Sequence, residues 1–156
     1  LDFHFEFIDG ANVLFCNGEQ MSDDRIRTPQ ISELTSQISA KPEVRDALLE
    51  VQRDLGRSQD SVMEGRDIGT VGFPEADVKI FLTASADVRA KRRYDELRDR
   101  GEDPDYDELV EQIKIRDERD QNRDVAPLKK AKDAVEIDSS SLSIEEVVEE
   151  IIRQVE

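Results

Sequence analysis

Side chains able to do chemistry in this chain are mostly arginines and aspartates. Leu109, Ile113, Arg116, Asp120 and Arg123 follow one another at spacings of four and three. At 3.6 residues per turn a helix carries all five on nearly one face. An apolar face thus turns into two guanidiniums flanking a carboxylate. Such a face has two uses. It can be a solvated Arg/Asp ladder held by i,i+4 pairs, or it can grip an anion through paired charge-assisted hydrogen bonds. A second group, Gly65-Arg66-Asp67-Ile68-Gly69, follows a short apolar run. Ligands of open α/β sheets usually bind in loops at strand ends, and flanking glycines let backbone approach a ligand closely. The alternative there is an Arg/Asp pair that satisfies itself. Taken together, Arg66, Arg116 and Arg123 can converge on one phosphate. Asp67 and Asp120 then serve as acceptors for an exocyclic amine, a ribose hydroxyl or a neighbouring guanidinium. Phosphoryl transfer asks for such positioning and charge neutralisation, with little covalent chemistry from the protein.

Composition narrows the partners. The 156 residues carry a formal net charge of −16, with 37% hydrophobic and 38% charged residues. That is enough chain for one domain with a core. Acidity this strong argues against a nucleic-acid or anionic-membrane partner, and no stretch is apolar for the length of a membrane span. A small phosphate ligand remains compatible, because distant charge is screened. Cys16 and His4 are the only residues of their kinds. A disulfide framework and a Cys/His zinc site within this chain are therefore excluded, and no metal site is predicted. Phe3, Phe5 and Phe7 alternate with His4 and Glu6 from almost the first residue. A strand that starts so abruptly, without an initiator Met, suggests a piece of a longer protein.

The elements that must position these groups are legible in outline. Residues 3–8 and 13–16 read as strands joined around Asp9-Gly10-Ala11-Asn12, with Asn17-Gly18 a further turn. Their phenylalanines should pack on a core, with stacking on a base as the alternative. Thr28-Pro29 and Lys41-Pro42 open two helices. The first should bury Ile31, Leu34 and Ile38 and leave Ser36 off that stripe. The second should bury Val44, Ala47, Leu48, Val51 and Leu55 and end at Gly56, with Arg45 beside the stripe. Ser61-Val62-Met63 reads as a short strand and Val78–Leu82 as a more interior one. Ser85 caps a helix through Arg100 that carries Arg89, Arg92 and Arg93. Gly101-Glu102-Asp103-Pro104 breaks that helix, and the next begins near Asp105. Ala134–Asp138 has the alternation of an edge strand, and Ser143-Ile144-Glu145-Glu146 is a capping box before a final helix. Strands separated by helices after a two-strand insert indicate an α/β parallel sheet with a subdomain attached.

Several segments, in order, resemble the bacterial cytidylate kinase family of P-loop nucleoside monophosphate kinases. They are Ile26-Arg27-Thr28-Pro29, Pro42-Glu43-Val44-Arg45-Asp46-Ala47-Leu48-Leu49, Glu64-Gly65-Arg66-Asp67-Ile68-Gly69-Thr70 and Lys79-Ile80-Phe81-Leu82-Thr83-Ala84-Ser85. Arg116-Asp117-Glu118-Arg119-Asp120-Gln121-Asn122-Arg123, Val125-Ala126-Pro127-Leu128 and Leu142-Ser143-Ile144-Glu145 complete the likeness. It covers the C-terminal two-thirds of such a kinase. The resemblance implies a three-layer parallel-sheet core, a small strand-plus-helix monophosphate-binding subdomain at 1–57 and a helical lid at 95–106. Residues 58–94 and 107–156 would form the core. It also implies phosphoryl transfer from ATP to CMP or dCMP with Mg²⁺, in pyrimidine nucleotide metabolism, by a cytoplasmic and monomeric enzyme. Carried over by position, Ser36, Arg45 and Asp67 recognise cytosine, Arg66 and Arg123 the acceptor phosphate, and Arg116 and Asp120 the ribose and phosphate. Nothing in the chain matches G-x-x-x-x-G-K-[ST], the loop that holds donor phosphates in P-loop enzymes. The chain should therefore lack the donor site and the N-terminal strand of the sheet, and be inactive by itself. Two other readings remain: a non-catalytic kinase-like module whose acidic surface meets a protein partner, or a kinase relative for another nucleoside monophosphate.

Overall fold

The computed structural model describes residues 2–22, 26, 28–39, 41–58 and 60–155. They form two compact units, one ending at Lys41 and the other starting at Pro42. In the first, β1 (Phe3–Ile8), β2 (Ala11–Cys16) and β3 (Glu19–Met21) make an antiparallel sheet in that order. Asp9 and Gly10 at the first turn, and Asn17 and Gly18 at the second, all take positive φ. Two residues with positive φ make the type I′ turn, whose twist matches that of the strands it joins. β3 had no separate signal in the sequence, since three polar-rich residues show no usable alternation. His4 stacks on its cross-strand partner Phe15, with ring centroids 5.2 Å apart.

Two expectations fail in this unit. Phe5 and Phe7 are exposed, Phe7 at 74%. A single three-stranded layer covers an apolar face only as far as cross-strand neighbours reach. In α1 (Pro29–Ile38), Ile31, Leu34 and Ile38 are exposed while Ser36 is 3% exposed. Periodicity finds the apolar face of a helix, but packing decides which face is covered. The helix start is as expected. Thr28 Oγ1 accepts from Ile31 N at 3.2 Å, and a proline follows. Arg27, part of the resemblance, lies outside the described residues.

The second unit opens with α2 (Pro42–Arg57). Gly56 does not end this helix. A Cβ there would lie 2.4 Å from the Phe73 ring, so glycine serves a close approach. Ser61-Val62-Met63 is irregular, not a strand, and Val62 is fully exposed. A strand needs a ladder partner, and none pairs with it among the described residues. A π-helix spans Ile68–Gly72. β4 (Ile80–Thr83) and β5 (Val135–Asp138) pair in parallel, Ile80 opposite Val135 through Thr83 opposite Asp138. Among the described residues these two make up the sheet. β4 is therefore not interior as its apolar run suggested, and Leu82 is half exposed.

Between them run α3 (Ala86–Asp99) and α4 (Tyr106–Asn122), capped by the side chains of Ser85 and Asp105. Gly101, at φ +81°, turns the chain out of α3, a conformation that costs other residues about 1 kcal/mol. Tyr94 and Tyr106 meet edge to face at 5.9 Å. Among the described residues, Ala90 and Leu97 of α3 and Ile137 of β5 are the buried hydrophobic side chains. α5 (Ile144–Val155) begins with the expected reciprocal cap: Glu146 N donates to Ser143 Oγ at 3.2 Å and Ser143 N to Glu146 Oε2 at 2.8 Å. Among the described residues no helix is long and apolar enough to cross a membrane.

Candidate functional site

Two carboxylates of the second unit organise four arginines. Asp120, in the last turns of α4, is 2% exposed. Its Oδ2 accepts from Arg66 Nε at 3.0 Å, and Arg116 Nε stands 3.7 Å from the same oxygen. A carboxylate so far from water needs that compensation, since an unpaired buried charge is strongly destabilising. Asp67 forms the second node. Arg45 Nη2, from α2, donates to its Oδ2, and Arg123 Nη2 donates to Oδ1 at 3.3 Å.

Local sequence explains each placement. Asp67 caps the π-helix, and its carbonyl accepts from Thr70, Val71 and Gly72 N at 2.8–3.3 Å and from Thr70 Oγ1 at 3.2 Å. That turn fixes the Asp67 backbone and sets Arg66 just before it. Arg123 is not inside α4 but is its C-cap, with extended backbone. Its Nε donates to Ala126 O at 2.7 Å, and Ala126 holds φ +49°, unusual for a residue with a Cβ. Leu128 N returns to Asp120 O at 2.7 Å, so Val125-Ala126-Pro127-Leu128 folds back on the helix end. Strain of this kind gathers where the surroundings demand a special geometry.

Six of the seven site residues singled out above, Arg45, Arg66, Asp67, Arg116, Asp120 and Arg123, thus belong to these two clusters. Ser36 lies in the other unit. Four guanidiniums on two carboxylates leave two formal positive charges, within a chain of −16. Arg66 is the most exposed of the four, at 45%, and so the best placed to meet an anion arriving from solvent.

Two other arginines, assigned no role from sequence, hold elements together. Arg89 chelates Asp117, Nη1 to Oδ1 at 2.8 Å and Nη2 to Oδ2 at 2.5 Å, tying α3 to α4 one residue from Arg116. Arg53 of α2 donates to two carbonyls of the π-helix. No periodic signal could have found either partner, because both depend on how elements meet. Among the described residues there is no group of three or more His, Cys, Asp or Glu able to hold a metal ion.

Two helices and the segments beside them thus gather four guanidiniums around one buried and one largely withdrawn carboxylate, in a unit that also holds a parallel two-stranded sheet. Comparison with known proteins is more specific. The family model described as cytidylate kinase matches residues 2–156. A cytidylate kinase of Fervidobacterium nodosum is 54% identical over 138 residues, covering 88% of this chain and 63% of that protein. Those of Caldicellulosiruptor bescii and Thermosipho melanesiensis are 45% and 50% identical, covering 97% and 90% of this chain and 66% and 64% of theirs. The chain belongs to the cytidylate kinase family, and with it to the α/β P-loop kinases. It spans a little under two thirds of the length of these three relatives.

Proposed function

We propose that this chain supplies the acceptor-binding site of a cytidylate kinase, which transfers the γ-phosphoryl group of ATP to CMP or dCMP. The observation that supports it most is the double use of Asp67, which accepts from both Arg45 and Arg123. A carboxylate held by two guanidiniums presents a fixed polar edge suited to a base. Arg66 and Arg123 take the acceptor phosphate, which they neutralise and orient toward the donor. Arg116 and Asp120 serve the ribose and phosphate. Ser36 takes its contact with cytosine from the resemblance alone, residues 1–57 form the monophosphate-binding subdomain, and residues 95–106 form a lid whose closure excludes water.

ATP and Mg²⁺ are the donor and cofactor that the family implies. The residues of this chain do not fit them. The sequence has no G-x-x-x-x-G-K-[ST] loop to hold the donor phosphates, and among the described residues no group of three or more His, Cys, Asp or Glu could cage a metal ion without the help of substrate phosphates.

Calorimetric titration of the chain with CMP, AMP and inorganic phosphate tests the reading. CMP should bind in preference to AMP, and Arg123→Ala should weaken CMP by about tenfold or more, as loss of a charge-assisted contact does. Equal binding of CMP and AMP, or no binding by a folded chain, overturns it. Joined to a P-loop segment from a longer relative, the chain should form ADP only when CMP is present.

A further inference from the structure

α2 and the π-helix touch at two places. At one end Arg45 pairs with Asp67, the residue that caps the π-helix. At the other end lies Arg53. Its Nε donates to Gly72 O at 3.1 Å and its Nη2 to Val71 O at 3.0 Å, while Nη1 reaches Glu50 Oε1 at 3.3 Å. Helix ends leave carbonyls unsatisfied, and here one planar fork takes two of them. Phe73, whose N donates to Ile68 O at 2.7 Å, lays its ring against the Gly56 backbone, an approach that a Cβ would block. The pieces form a closed loop: Arg45, Asp67, the π-helix, Arg53, and α2 back to Arg45.

π-helical turns are rare and occur frequently at functional sites. This one is held by a side chain committed to main-chain carbonyls and therefore not offered to a ligand. We propose that Arg53 is a positioning residue: by pinning the C-terminal end of the π-helix to α2 it sets the spacing of Arg45 and Asp67, and so the discrimination between nucleoside monophosphates that differ in the edge of the base. The inference rests on the acceptor-site reading. Lysine cannot replace the fork, since an ammonium on a flexible stem does not reproduce planar two-point geometry.

Two variants test it, Arg53→Met, which keeps the apolar stem, and Arg53→Lys, which keeps the charge and serves if the first does not fold. In each background, and in the parent chain, thermal unfolding is measured for Arg45→Ala, Asp67→Ala and the double variant. The non-additivity of the two changes reports their coupling. CMP and UMP affinities are measured on the parent and on both Arg53 variants. The parent should show coupling between Arg45 and Asp67 and should favour CMP. Both Arg53 variants should lose the coupling, and the CMP-to-UMP preference should fall about tenfold, as for a polar contact left misaligned. Coupling and preference that survive in either folded variant overturn the role of Arg53. A parent chain that binds CMP and UMP alike overturns the acceptor reading instead.

Discussion

The second unit uses the same residue types in two opposite ways. Around Asp67 and Asp120 three of the four ion pairs join positions 22, 54 and 56 residues apart, Arg116–Asp120 alone lying within one turn of α4, and the two carboxylates are 15% and 3% exposed. Along the helix surfaces, Lys91–Asp95 and Arg153–Glu149 join residues one turn apart, and all four side chains are more than half exposed. The first set is assembled by the fold and withdrawn from water, so each carboxylate depends on its guanidiniums. The second set forms within one helix, is hydrated and screened, and contributes little. An Arg/Asp pattern in a sequence acquires chemical meaning from what the fold brings to it and from how much water remains.

The sharpest way to break that contrast is Asp120→Ala. It strips Arg66 and Arg116 of a shared partner inside the protein. Removing one member of a fully buried pair costs about 3–5 kcal/mol. Arg66 is 45% exposed and partly rehydrates, so the expected loss is about 2 kcal/mol once solvent screening is allowed for. Urea unfolding measures it. A loss within the scatter of a surface substitution would place Asp120 with the solvated ladders.

Spacing alone put Arg116 and Asp120 on one face of a helix, and they are i,i+4 neighbours on α4. It could not bring Arg66 to them, because that contact spans 54 residues and depends on the loop before the π-helix. The caps at Thr28, Ser85 and Ser143 were legible for the opposite reason: partner and donor lie three residues apart, and the chemistry is local. Ser36 and Val62 mislead in the same manner. Periodicity and β-propensity describe one segment, whereas burial and strand pairing are properties of two. Arg53 left no trace in the pattern, since its partners are backbone carbonyls of a helix type that sequence does not announce.

Lys79–Asp133 lies between the two sets. The lysine side chain is 7% exposed and the aspartate 65%. Lys79 Nζ donates to Asp133 Oδ2 at 2.5 Å and also to Pro74 O. The hydrogen bond from Lys79 holds the Asp133 carboxyl below its ordinary 3.8, with a backbone hydrogen bond helping and desolvation opposing. A pKa lowered in the folded state means that this contribution is present above the unfolded value and is lost as pH falls through the folded one. Melting temperatures followed from pH 6 downward should show the parent chain losing stability more steeply below about pH 4 than Asp133→Asn. Parallel curves would make this pair another hydrated surface contact. The effect should be smaller than that of Asp120→Ala, because one partner stays in water throughout.

Lys91→Ala sets the lower end of the scale. Lys91 Nζ lies 2.5 and 2.6 Å from the two oxygens of Asp95, closer than Arg66 lies to Asp120. If distance governed energy, this pair would matter more. It is one turn of α3, with side chains 61% and 52% exposed, so each charge keeps most of its hydration whether or not the pair forms. Ordering the long lysine chain opposes what attraction remains. Alanine is also the better helix former, which offsets the lost pair further. The expected change is below about 0.5 kcal/mol, and added salt should leave it near zero. A larger loss would mean that short distance, not burial, separates the two populations, and the contrast between them would fail at its weaker member.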